Sequence, residues 1–258
     1  MSPTAPTPRV DNRAAIADLL AIWDADVSAK ATVRTDLANQ LTPVLIRGLT
    51  AHAVDSARAV LTLYRASQPV AAVPIVRTVM EDALTAAWLL AEPDASRSFV
   101  SAGVGKRAVA LGAILRRGAG TDHEAIAARL QESRELIEQL GAPNGHNIEQ
   151  RFQSLDGGDG GLYLAYRLAS QLSHASPSIV DLYVGADERA PQGVYLRSHA
   201  AHDTAAMWIS HTATNLLHAL TVWDICRAGR PNQAQLEAIG DRLGMHTEYP
   251  VATLSTEG

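Results

Sequence analysis

The stretch that most constrains the fold is 70–91, VAAVPIVRTVMEDALTAAWLLA, which predicts a helix that is apolar almost all the way round. Such a helix belongs in the middle of a domain, covered by other helices on every side. It nevertheless carries three charged residues, Arg77, Glu81 and Asp82. Arg77 and Glu81 are one turn apart on the same face, whereas Asp82 lies about 100° further round the helix. Because burying an unpaired charge costs several kcal/mol, these side chains need partners from elsewhere in the chain.

Composition limits the classes of partner. The formal net charge of the 258 residues is −5, so no global basic field attracts nucleic acid or an anionic membrane. The start of the chain lacks the apolar core of a signal peptide, and no stretch reaches the ~18 uninterrupted apolar residues of a membrane span. A cytoplasmic protein without a membrane partner is therefore expected. The single cysteine, Cys226, excludes an internal disulfide and a thiolate metal site, and is expected to be a buried, inert thiol.

Turn and capping signals divide the chain into eight or nine helices and predict an all-α fold, a single-domain helical bundle. Thr42-Pro43 and the capping box at 121–124 mark two helix starts, and a further helix is expected around 32–41. The bundle spans 11–243, between a flexible tail at 1–10 and a C-terminal tail at 244–258. Its least helical part is an irregular segment near 178–198, where IVDLYV and GVYLR predict short strands or an extended loop.

The helix before the central one supplies a first set of partners for its charges. Asp55 and Arg58 share a face of the helix predicted at 43–67, which a short turn joins to the central helix. Asp55 could pair with Arg77, and Arg58 with Glu81. In that arrangement the charged residues form a structural ion network between two neighbouring helices.

A later helix, predicted at 162–174, supplies a second set. Three of its residues recur at intervals of four and share a face, while three leucines on the opposite side are expected to face the core. The polar stripe would then line a cleft or face water. The stripe consists of Tyr166, Ser170 and His174, and the leucines are Leu164, Leu168 and Leu172.

Arg167 and His174, two turns apart on this helix, suit proton transfer at a phosphodiester. An imidazole moves protons near neutral pH, and a guanidinium stabilises the charge of a pentavalent phosphate. The alternative is that His174 only satisfies the C-terminus of the helix, where the dipole favours a cation, and that Arg167 is solvated.

Histidines also recur in the helix predicted at 200–228. His211 and His218 share a face, and His202 lies near the helix start. They raise the hypothesis of a metal site or of an enzyme that acts on a small molecule. The chain has neither an HExxH motif nor a carboxylate–histidine pair of the di-iron type, so we predict no metal and no cofactor.

Two of these segments together resemble a widespread bacterial helical family of unknown function. The resemblance covers roughly 45–180 and rests on VRTVMEDALTAAWLL, with Arg77 and Glu81, and on YRLASQLSH, followed by Ala175-Ser-Pro177. It implies that Arg77, Glu81, Ser170 and His174 converge in space. The spacing of Arg167 and His174 is also similar to the R-x4-6-H motif of HEPN-type ribonucleases, which implies an all-helical homodimer that cleaves RNA.

The preferred hypothesis is a polar pocket for metal-independent phosphodiester cleavage in RNA or a nucleotide. His174 would be the acid/base, Glu81 would orient it or Arg77, and Arg77 or Arg167 would bind an anionic group; Tyr166 and Ser170 would complete the pocket. One alternative is a non-catalytic module that binds a small anion or a partner protein. Another is a small-molecule enzyme built on His202, His211 and His218.

Overall fold

The structure, a computed structural model, describes residues 10–27, 32–37, 39–118, 122–141, 147–155, 161–201 and 204–252. This part of the chain confirms the all-α fold class. It contains ten helices, one more than the upper prediction, and one small antiparallel sheet. The helices are α1 (Asn12–Val27), α2 (Thr42–Arg65), α3 (Pro69–Ala91), α4 (Ala95–Arg117), α5 (His123–Leu140), α6 (Ile148–Leu155), α7 (Gly161–Gln171), α8 (Pro177–Asp181), α9 (Ala205–Ile225) and α10 (Gln233–Leu243); the strands are β1 (Val184–Ala186) and β2 (Val194–Leu196).

Helix α3 lies at the centre of the bundle, as its apolar sequence predicts. It packs against α2 and α9 along most of its length and against α4, α6 and α7 at other faces. Fourteen of its residues are buried, and the buried positions run round the whole helix in its second half, from Asp82 to Leu90. Proline occupies its first position, where the missing N–H leaves no intrahelical hydrogen bond unmade. The site described below is built on the flanks of this helix.

The prediction of a helix around 32–41 is wrong. Residues 32–37 are extended and run beside the end of α9, where Val33 forms a β-bridge with Arg227. The amide of Arg34 donates to the carbonyl of Cys226 at 2.9 Å, and the amide of Ala228 donates to the carbonyl of Thr32 at 2.9 Å. Tertiary hydrogen bonds thus replace the local helical ones. Cys226 itself is fully buried, as predicted, and burial raises the pKa of its thiol to about 12.

The irregular segment predicted near 178–198 contains the only sheet in the described part of the chain. After the short helix α8, strands β1 and β2 pair in antiparallel register, with Val184 opposite Leu196. Gly185 is required here, because a Cβ atom at that position would lie 2.3 Å from the ring of Tyr195.

Residues after α10 also contact the bundle. The amide of Ala252 donates to the carbonyl of Leu90 at the end of α3, at 2.9 Å. The side chains of Met245, Tyr249 and Val251 pack against the core.

One helix in the described residues, α4, is long and apolar enough to cross a membrane, and only 11% of its apolar window is buried. A single such helix is weak evidence for a membrane span. Lys106 and Arg107 stand near its middle, where charges are most costly in a bilayer. The cytoplasmic location of the protein stays a prediction.

A buried ion pair fastens α1 to the end of α9. The carboxylate of Asp26 accepts hydrogen bonds from the guanidinium of Arg227 and, at 3.1 Å, from the indole N–H of Trp223. The side chains of Asp26 and Arg227 are each only 8% exposed. A second ion pair, Asp18 with Arg242, links α1 to α10 at 2.6 Å, but half of each side chain is exposed.

These two pairs predict very different stability effects. Asp26→Ala leaves a buried guanidinium without its carboxylate, so we expect it to lower the free energy of unfolding by about 3–5 kcal/mol. Asp18→Ala removes a solvent-screened pair on the same helix and should cost no more than about 1 kcal/mol. Urea denaturation followed by circular dichroism measures both values. Equal losses from the two variants would contradict the structural role assigned to Asp26.

Candidate functional site

Arg77 on α3 reaches across to α7 and joins four of the predicted site residues. Its Nε donates to the hydroxyl of Ser170 at 2.9 Å, and its Nη2 donates to the hydroxyl of Tyr166 at 2.5 Å. The Tyr166 hydroxyl in turn donates to Glu81 Oε2 at 3.4 Å, and Arg77 Nη2 lies 3.5 Å from the same oxygen. The guanidinium also lies 4.9 Å from the centre of the Tyr166 ring. Arg77, Glu81, Tyr166 and Ser170 therefore form one connected polar network.

The predicted core face of α7 is wrong at two of its three leucines, and only Leu172 packs against the core. Leu164 and Leu168 are 60% and 40% exposed, whereas Tyr166 and Ala169 are buried. The Tyr166 ring packs on Phe152 of α6 with the ring centres 5.0 Å apart. A tyrosine buries more apolar surface than a leucine provided that its hydroxyl has a partner, and Arg77 and Glu81 supply that partner. Helix α7 therefore turns its mixed aromatic and polar face inward.

His174 and Arg167 do not join the network. Helix α7 ends at Gln171, so His174 lies beyond the helix, is exposed, and forms no hydrogen bond or ion pair within the described residues. Arg167 is exposed and lies 5.9 Å from the centre of the Tyr163 ring. The catalytic role of His174 and the anion-binding role of Arg167 stay predictions, and no contact observed here supports them.

The ion pairs predicted between α2 and α3, Asp55 with Arg77 and Arg58 with Glu81, do not form. Arg58 binds Asp24 of α1 at 2.5 Å, and Asp55 is exposed and forms no ion pair within the described part of the chain. Helix α2 instead contributes His52, whose Nδ1 lies 2.8 Å from Asp82 Oδ2. The side chain of Asp82 is 10% exposed and that of His52 is 63% exposed.

Burial dominates the electrostatics of Asp82. Desolvation raises the pKa of this carboxyl to about 6, and the neighbouring carboxylate of Glu81 adds to the rise. The imidazole of His52 opposes both effects, because its positive form favours the ionised carboxylate. His52 and Asp82 thus form a pair in which a buried carboxyl lies against a more exposed imidazole.

This pair lines a cleft of about 540 Å³ between α2, α3, α4 and α6, which we call the α3–α4 cleft. The two carboxylates lie on one side of the cleft, and the lysine and the two arginines lie on the other. The side formed by α2 and α3 contributes His52, Glu81 and Asp82, and the side formed by α4 and α6 contributes Lys106, Arg107 and Arg151. Since Glu81 also belongs to the Arg77 network, the network borders the cleft.

Aromatic rings hold Arg151 in the cleft. Its guanidinium lies 4.7 Å from the centre of the Trp88 ring and 5.6 Å from that of Phe99, and its Nη1 donates to the hydroxyl of Thr85 at 3.3 Å. Burial lowers the pKa of this guanidinium, and the nearby charge of Glu81 raises it. An arginine pKa begins so far above neutrality that the side chain remains a cation.

Sequence reasoning missed two important residues of this cleft, His52 and Arg151. His52 was visible only as one polar residue beside Asp55 and Arg58 on α2. Asp82 was the stronger indication of a site in this region, because a carboxylate on an apolar central helix requires a partner. Arg151 lies on the short helix α6, whose position beside Trp88 follows from tertiary packing alone.

The histidines of α9 lie apart from one another. His211 packs against Trp208, with the ring centres 5.8 Å apart, and His218 packs against Tyr249 at 5.6 Å. Burial lowers the pKa of both imidazoles, that of His218 to about 4. The third histidine, His202, lies outside the described residues, and within these no group of three or more histidine, cysteine, aspartate or glutamate side chains could hold a metal ion.

Residues 44–191, more than half of the chain, match a family of unknown function, DUF5677. The chain belongs to this family. The match confirms the predicted membership of an uncharacterised domain family and runs from the start of α2 to the loop between the two strands. It includes the Arg77 network and every residue that lines the α3–α4 cleft. No curated protein and no solved structure matches the chain.

The raised pKa of Asp82 predicts a specific dependence of stability on pH. Between about pH 4 and pH 6 the unfolded state loses this proton while the folded state keeps it, so the free energy of unfolding falls as the pH rises. Above pH 6 the ionised carboxylate costs about 3 kcal/mol, by the conversion of a pKa difference into free energy. Asp82→Asn should abolish this fall in the free energy of unfolding between pH 4 and pH 6. Urea denaturation of the variant and the wild type at pH 4 to 8 measures the difference. Asp55→Asn, on the exposed side of α2, is the matched control and should keep the wild-type slope. Parallel curves for Asp82→Asn and wild type would refute the assignment.

Proposed function

We propose that the α3–α4 cleft binds a small anionic ligand, of which a phosphate-bearing molecule is the best match. The observation that carries this proposal is the pair of exposed cations on α4, Lys106 and Arg107, which line the cleft and form no ion pair within the described residues. A guanidinium and an ammonium that line the same cleft suit the several oxygens of a phosphate.

The charges of the cleft support an anion over a cation. The carboxylate of Glu81 is already bound by Arg77 and Tyr166, and that of Asp82 by His52. Both acidic groups therefore already have partners, and the cationic groups of α4 remain for a ligand. Arg151, which also lines the cleft, adds a third positive charge.

Isothermal titration calorimetry with pyrophosphate tests this function. We expect saturable binding that weakens as salt is added, because partly exposed charges are screened. The double variant Lys106→Gln/Arg107→Gln should lower the affinity about tenfold or more, since a hydrogen bond to a charged group contributes about 1.5–3 kcal/mol. Arg116→Gln/Arg117→Gln removes the same charge from the far end of α4 and is the matched control. Equal losses from the two double variants, or no saturable binding, would contradict a specific site.

A second candidate function, metal-independent phosphodiester cleavage in RNA, is favoured by the contact between His52 and Asp82. In this reaction the neutral imidazole of His52 takes the proton of a 2′-hydroxyl, whose oxygen then bonds to phosphorus. The bond from phosphorus to the 5′-oxygen breaks, water supplies the proton of the leaving group, and Arg107 stabilises the charged phosphate. His52 here takes the role that the sequence hypothesis gave to His174.

A fluorogenic RNA oligonucleotide, incubated with the protein in EDTA, tests this candidate. His52→Ala should lower the cleavage rate by about 100-fold or more, within the usual contribution of general acid–base catalysis. His174→Ala is the control and should retain the wild-type rate. If instead His174→Ala abolishes cleavage and His52→Ala does not, the original assignment of His174 as the acid/base is correct. If wild-type protein does not cleave, ligand binding alone remains as the proposed function.

The similarity to HEPN-type ribonucleases supports the type of reaction in this second candidate, although it rests on Arg167 and His174 and not on His52. It also leads us to propose a homodimer and RNA or a nucleotide as the partner, in the cytoplasm of a bacterium. The support for these proposals is the all-α fold and the spacing of Arg167 and His174, not a contact in the site.

A further inference from the structure

A second cavity, of about 400 Å³, lies between α3, α9, the end of α6 and residues 245–250. It shares no lining residue with the α3–α4 cleft. Its volume falls within the range of pockets that bury small molecules, roughly 300–1,000 Å³. Most of its walls are apolar and include Leu84, Ala87, Leu155, Met245 and Pro250.

His218 provides a polar group in this apolar wall. Its imidazole packs edge-on against the ring of Tyr249, with the ring centres 5.6 Å apart, and both side chains line the cavity. Within the described residues His218 forms no hydrogen bond or ion pair. Burial lowers the pKa of this imidazole to about 4, so at pH 7 the ring is neutral and offers one N–H donor and one nitrogen acceptor.

The charged residues around the cavity decide which ligands it disfavours. Glu92 and Glu248 line it, and both are exposed. Among the described residues, no lysine or arginine lines it. An anionic ligand would therefore meet two carboxylates and no cation, which excludes the class of ligand proposed for the α3–α4 cleft.

We propose that this cavity binds a neutral, largely apolar small molecule with one hydroxyl or amide group, which forms a hydrogen bond with the His218 imidazole. The apolar walls provide most of the affinity and the imidazole fixes the orientation of the ligand. This site is independent of the function proposed for the α3–α4 cleft. It also assigns a role to His218 alone, without His202 or His211.

Two ligands of matched shape test the proposal. We expect 2-naphthol, which is neutral at pH 7, to bind with one site per chain in a calorimetric titration. The anion 2-naphthoate should bind at least about tenfold more weakly, because it must bring a charge into an apolar cavity rimmed by carboxylates. Equal affinities for the two probes would overturn the ligand class.

Four variants locate the site. His218→Phe keeps an aromatic ring but removes both nitrogens, and should weaken 2-naphthol binding about fivefold to tenfold. His211→Phe, on the same helix but outside the cavity, is the matched control and should bind as wild type does. Ala87→Leu and Met245→Phe each fill the cavity and should lower the affinity more than about tenfold. Circular dichroism and thermal unfolding confirm that each variant is folded.

The same measurements can overturn the site. Two results would do so: no saturable binding of 2-naphthol to the wild-type protein, or unchanged binding in both folded cavity-filling variants. Equal weakening by His218→Phe and His211→Phe would overturn the role of His218. The double variant Lys106→Gln/Arg107→Gln, which alters only the α3–α4 cleft, should leave 2-naphthol binding unchanged. That control distinguishes a failure of the 2-naphthol site from a failure of the anion-binding proposal.

Discussion

The structure depends on the burial of a central helix that also carries charge. Helix α3 is covered by α2, α9, α4, α6 and α7, so its apolar surface holds these five helices in place. Its charged residues cannot all reach water, and each is met by a partner from another helix. Tyr166 and Ser170 meet Arg77, and His52 meets Asp82. Residues of two different helices, α7 and α2, thus pair with the charged residues on two sides of α3.

Glu81 connects these two sides. Its carboxylate belongs to the Arg77 network and also lines the α3–α4 cleft beside Asp82. The two possibilities that the sequence left open, a structural ion pair or part of a site, are therefore not exclusive. Arg77, Tyr166 and Ser170 fasten α7 to α3 and hold the Glu81 side chain at the edge of the cleft. In the proposed function, the groups that contact the ligand come from α2, α4 and α6 instead.

The helical character of the chain and its central element were predictable, because they follow from local patterns. Apolar periodicity placed α3 at the centre, and proline and capping signals marked the starts of α2, α3 and α5. The convergence of Arg77, Glu81 and Ser170 was implied by resemblance to a helical family and not by spacing, and the fourth residue that the resemblance included, His174, lies outside the network. The same reasoning failed for residues 32–37, where hydrogen bonds to the end of α9 replace those of a helix. It failed for the face of α7 because leucine was assumed to be more buried than tyrosine.

By itself, the amino-acid sequence determined that the chain is all-helical, that 70–91 lies in the core, and that Arg77, Glu81 and Asp82 require partners. These results depend on hydrophobicity and on the cost of buried charge, which are properties of each residue and its near neighbours. Only the tertiary structure decided which partners those are. His52 lies thirty residues from Asp82 along the chain, and Ser170 lies ninety-three from Arg77. Contacts at that separation depend on how whole helices pack, which no local pattern encodes. The central helix thus required partners for its charges, and the packing of its neighbours determined which residues those are.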